Sequence, residues 1–153
     1  MLAQLEQHAT LITNALTQRA KHLLVVLPKA DAIGRLDART PYRSLLEATL
    51  ARRKKKFADL AKTPLCIDAG GALVAWVVVD GAQSVFEQQT VMRKAVTSLL
   101  GEDPVEITIV VFGDAAQRKA CASLAVYTAW LNGWQLPKRK KENKNKHLRL
   151  IRL

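Results

Sequence analysis

Three short apolar runs constrain this chain more than anything else in it. His22–Leu27, Leu73–Val79 and Val105–Phe112 are six to eight residues long, nearly free of polar interruption and rich in valine, leucine and isoleucine. A strand that is apolar at every position has no face to give to water, so both of its faces must be covered. The segments between these runs carry helical periodicity. Tyr42–Lys56 follows Pro41, with Leu45, Leu46, Ala48 and Leu50 as its apolar points, and Val85–Leu100 places Val85, Met92, Ala95, Val96 and Leu99 on one face. Gly101 stands as the C-cap of the second of these. A third helix, from Ala115 to about Asn132, is so apolar between Ala120 and Leu131 that burial on more than one side is expected.

Residues 2–19 also read as an amphipathic helix, since Leu2, Leu5, Ala9, Leu11, Ile12 and Leu16 recur at three- and four-residue steps. Thr63–Asp68 and Leu73–Val79 flank Gly70-Gly71, a hairpin signal because both glycines accept the positive φ of a tight turn. The order helix, strand, helix, strand, strand, helix, strand, helix predicts an α/β domain with a mixed sheet and helices packed on its faces. At 153 residues the chain has the size of one such domain.

Charge locates the remaining feature. Of the net +11, residues 137–153 carry +7 and Arg52-Arg53-Lys54-Lys55-Lys56 carry +5, which leaves the rest at −1. A nucleic-acid-binding core would spread its cations over a face, so this distribution argues against such a core and leaves open an electrostatic contact through the tail. Arg52, Arg53, Lys54, Lys55, Lys56, Lys138, Arg139, Lys140 and Lys141 are the candidates for phosphate contact. For the first run, the favourable placing of cations at a helix C-terminus is an equally sufficient account.

Catalytic chemistry finds little support. The three histidines are far apart in sequence, and Cys66 and Cys121 are separated by 55 positions, so no zinc-ligand spacing exists. There is no Gly-x-Ser-x-Gly elbow. Gly113-Asp114, between a strand and a helix, is the one candidate ligand edge, although Asp114 is also explained as an N-cap. Asp68 and Asp80, at strand ends, suit turns. Trp76 and Trp130 read as core or interface, and Trp134 as partly exposed. Two thiols in apolar stretches suit a reducing cytoplasm. No secretory leader and no apolar run near the ~18 residues of a membrane span is expected.

Leu45–Leu65, Gly71–Asp80, and above all Ala122–Pro137 with its lysine-rich continuation into Leu148–Leu153, resemble the non-catalytic amino-terminal domain of the M17 leucyl aminopeptidases. The resemblance spans roughly residues 20–153. It implies a macro-domain-like, three-layer α/β/α fold over residues 1–136, with 137–153 a basic linker and short strand leading to a catalytic domain beyond this sequence. Leu148–Leu153 alternates apolar and basic residues like an edge strand awaiting a partner. In that family a two-metal centre, zinc or manganese, lies wholly in the carboxy-terminal domain, and the assembly is a hexamer. No residue here matches the catalytic motif, so the resemblance assigns no catalytic or metal position to this chain. It implies a scaffolding, assembly and access-control role in the cytoplasm. Regulatory DNA binding and binding of an ADP-ribose-like ligand are the alternatives.

Overall fold

The computed structural model describes residues 2–8, 14–134 and 148–153. The elements in order are β1 (Gln4–Glu6), α1 (Asn14–Arg19), β2 (His22–Pro28), α2 (Arg43–Arg52), β3 (Leu65–Asp68), β4 (Leu73–Val79), α3 (Val85–Leu100), β5 (Glu106–Val111), α4 (Ala115–Gly133) and β6 (Leu150–Arg152). Single 3-10 turns occupy Ile33–Arg35 and Phe57–Ala61. The strands form one mixed sheet in the order β1-β6-β5-β2-β4-β3, parallel throughout except for the β3–β4 hairpin.

The three apolar runs are the three central strands, β5, β2 and β4. Their alternation sorts side chains to two faces. Leu23, Val25 and Leu27 of β2 join Trp76 of β4 and pack beneath Leu46 and Leu50 of α2. Leu24 and Val26 face the other way, into a core with Met92, Val96 and Leu99 of α3 and Ala125 and Ala129 of α4. The architecture is therefore α/β/α, with α2 on one face and α3 and α4 on the other. Trp76 is fully buried, as expected.

Local signals behave as their chemistry predicts. Gly70 and Gly71 have φ of 74° and 103°, and the turn is closed by Ala69 N–H donating to Ala72 O at 2.7 Å. Asp68 Oδ1 accepts from Gly71 N–H at 3.1 Å, and Asp80 Oδ1 from Ala82 N–H at 2.9 Å. Helix α3 opens on a capping box: Ser84 Oγ accepts from Glu87 N–H, and Glu87 Oε2 accepts from Ser84 N–H. Those hydrogen bonds hold the Glu87 carboxyl below its ordinary pKa. Gly101 is the C-cap of α3, in a right-handed conformation.

Four expectations are corrected. Residues 2–19 are not one helix. Gln4–Glu6 is a strand and the helix described is Asn14–Arg19, because main-chain bonds to a distant partner override, at Gln4–Glu6, a pattern that fits helical steps. Gln4 N–H donates to Arg149 O and Leu153 N–H to Glu6 O, both at 2.8 Å. Leu148–Leu153 is not an edge awaiting a partner either, since β6 sits between β1 and β5 with Ile151 fully buried. Helix α2 is shorter than predicted at both ends. It begins after Tyr42, whose φ is 54°, and ends at Arg52. Helix α4 is less covered than predicted: Ala125, Val126 and Ala129 lie in the core shared with α3 and the sheet, and Thr128 is buried beside α3, while Tyr127 and Leu131 are exposed. Among the described residues no helix is long and apolar enough to cross a membrane.

Candidate functional site

In an open α/β sheet, ligands sit beyond the carboxyl ends of the strands where the chain turns away in opposite directions. Here that place is the end of β2 and β5, since the chain leaves β2 over one face through α2 and leaves β5 over the other through α4. A cleft of about 670 Å³ opens there, lined by Lys29, Asp31, Arg35, Asp37, Phe112 and Gly113 among others.

Its charged groups are engaged with one another. Arg35 Nη1 donates to Asp31 Oδ2 at 3.0 Å, and Lys29 Nζ lies 3.0 Å from Asp80 Oδ2. The Arg39 guanidinium holds both carboxylate oxygens of Asp37, Nε donating to Oδ1 at 3.0 Å and Nη2 to Oδ2 at 2.7 Å. This fork, helped by Arg39 N–H, holds the Asp37 carboxyl down at about 2. Asp80 is likewise lowered, first by Ala82 N–H and then by Lys29.

Gly113 of the predicted ligand edge lines this cleft, while Asp114 is taken up as a helix cap. Asp114 Oδ1 accepts from Gln117 N–H at 2.8 Å, and Asp114 N–H donates to Gln117 Oε1 at 3.0 Å. Asp114 is the N-cap of α4. Gly113 has φ of 131°, and a Cβ there would stand 2.8 Å from Gln117 Oε1. Glycine is required at this position by the cap itself.

The basic run closes the carboxyl end of α2. Arg52 through Lys56 are all exposed, and none has a side-chain ion pair among the described residues. They form the stop of α2. Lys54, at φ 52°, donates its N–H to Ala51 O, and Lys55 N–H reaches back to Leu50 O. This is a Schellman turn built on lysine where glycine is usual. Lys138, Arg139, Lys140 and Lys141 lie outside the described residues.

Among the described residues no group of three His, Cys, Asp or Glu side chains is arranged to hold a metal ion. Both thiols are free and half-buried, and burial pushes each one's pKa up, with Glu102 adding to the effect on Cys66. A raised thiol is a poor nucleophile. The Asp37–Arg39 fork and the Lys29–Asp80 pair were not singled out in the sequence. The i, i+2 spacing of the first was legible, whereas the second depends on β2 and β4 being neighbours.

Comparison with known proteins speaks at the level of the fold. No family model matches the chain, and no curated protein does. Among solved structures the chain is similar to a mutant form of tomato leucine aminopeptidase, with a TM-score of 0.64 at 15% sequence identity. The match covers 99% of this chain and 32% of the tomato chain. At that identity the likeness establishes a shared fold, and this chain spans about a third of the tomato chain's length.

Proposed function

We propose that this chain is the non-catalytic amino-terminal domain of a leucyl aminopeptidase, an exopeptidase that releases amino-terminal residues from peptides in the cytoplasm. The observation that carries the reading is the fold shared with part of tomato leucine aminopeptidase over nearly the whole of this chain. The parent's zinc or manganese centre would lie in a separate carboxy-terminal domain, reached through residues 137–153. The role of this domain would be to pack on the catalytic one, support a hexamer and limit access to the active sites.

The surface supports a packing role. Phe86 is 75% exposed, Leu131 60% and Tyr127 55%, and the three line one shallow depression between α3 and α4. Large apolar side chains grouped in this way mark a surface that another protein body covers. Trp134, 46% exposed, follows the end of α4.

The test is the size and activity of the native polypeptide. An antibody to this domain should detect a species about three times its mass, in line with the 32% coverage of the tomato chain, and manganese-stimulated leucyl-peptide hydrolysis should co-fractionate with it. A native species of 16.9 kDa with no associated hydrolysis would sink the reading. One observation favours a second role: Arg52–Lys56 offers five exposed cations without acidic partners among the described residues. Contact with DNA phosphates would then weaken steeply with salt, and absence of binding to random duplex at low salt would dismiss it.

A further inference from the structure

A second concavity, unrelated to the cleft at β2 and β5, runs beside the β1–β6 edge of the sheet. It has a volume of about 590 Å³, within the range of small-molecule sites. One wall is a single stripe of α4. Arg118, Lys119, Ala122, Val126, Tyr127 and Trp130 recur at three- and four-residue steps and all face it. The floor is Ile109 and Val111 of β5, and Leu5 and Leu153 close the far side.

The groove is polarised along its length. Strands β1, β5 and β6 are parallel, so their carboxyl ends lie together, and α4 starts at the same end. His8 N–H donates to Leu153 O there, and Arg118 and Lys119 stand in the first turns of α4. Neither cation has an ion pair among the described residues. The His8 Nε2 atom is buried and has no hydrogen-bond partner, standing 3.3 Å from Glu6 Oε1 outside bonding geometry. At the other end the lining is aromatic. Trp130 is anchored by Nε1 donating to Ala3 O at 2.8 Å, beside the start of β1. From Arg118 to Trp130 is 12 residues of helix, about 18 Å.

We propose that this groove binds an amphipathic anion, an alkyl chain ending in a carboxylate or a phosphate. The head group lies against Arg118, Lys119 and His8, and the chain runs over Ala122 and Val126 towards Tyr127 and Trp130. An apolar floor with unpaired cations at one end rewards this polarity and no other: a neutral chain leaves the cations unused, and a cationic head meets them as like charges. The proposal is independent of the aminopeptidase reading.

Titration calorimetry of the full chain with dodecanoate and dodecyl phosphate, each below its micelle concentration, and with dodecanol below its solubility limit tests it. One or both anions should bind, the tighter naming the head group, and dodecanol should bind about tenfold more weakly, the effect of losing charge-assisted hydrogen bonds. Arg118→Glu with Lys119→Glu, both exposed on a helix, should weaken the anion by at least about tenfold and leave dodecanol unaffected. Ala122→Leu, which narrows the groove and keeps its charge, should weaken all three, and it serves if the charge reversal fails to fold. No binding by either anion, equal affinity for the alcohol, or full affinity in both variants overturns the proposal.

Discussion

The bidentate grip of Arg39 on Asp37 shows what a single residue pair contributes at the carboxyl edge of the sheet. The folded-state carboxyl sits at about 2, below its ordinary value of 3.8, so the pair's stabilisation is complete above about 4 and is lost as pH falls towards 2. Urea unfolding between pH 2 and 5 should show that slope, and Asp37→Asn should flatten it. Backbone conformation yields two opposite outcomes. Gly113→Ala brings a Cβ to 2.8 Å from Gln117 Oε1 at a φ of 131°, and should cost about 1–3 kcal/mol in the same assay. Lys54 occupies the left-handed position of a Schellman turn that glycine fits without strain, so Lys54→Gly should stabilise by about 0.5–1 kcal/mol.

At the scale of elements, the informative case is β6. Three residues with a single fully buried side chain, Ile151, look like a trailing segment, yet Ile151 lies in the same core as Met92, Leu99 and Ala129. Main-chain bonds tie it to β5 and β1, and Arg152 adds ion pairs to Glu106 at 2.7 Å and Glu6 at 3.2 Å. Ile151→Ala should therefore cost about 2–5 kcal/mol, the range of a buried core position, where a loose tail would register almost nothing. The measurement is again the unfolding midpoint, with an unchanged denaturant slope expected. Helix α3 depends on its own ends and needs no such help, as the Ser84–Glu87 capping box shows.

The whole molecule is an α/β/α sandwich whose paired charges quiet one cleft and whose apolar side chains remain open on α3 and α4. If that open face packs on a catalytic domain, Phe86→Asp should leave the unfolding free energy of this chain within about 0.5 kcal/mol, because Phe86 buries little here. In the parent enzyme the same change should lower assembly, read by sedimentation. Loss of stability in the isolated chain instead would mean that Phe86 belongs to this core.

The sequence by itself determined what a few neighbouring residues encode. The two-faced burial of β2, β4 and β5, the Gly70-Gly71 hairpin, the Asp114 cap and the core position of Trp76 all rest on side-chain period, φ preference or a cap within three residues. Tertiary structure alone decided the rest. Leu2 and Leu5 fit helical steps as well as they fit a strand, and the choice fell to hydrogen bonds with a strand whose Arg152 lies 146 positions from Glu6. Composition made α4 look buried on more than one side, but its buried arc is the one turned to α3 and the sheet, and that left Tyr127 and Leu131 in the open. The Lys29–Asp80 pair needs β2 beside β4, and the polarised groove forms only once parallel strands from both ends of the chain are side by side.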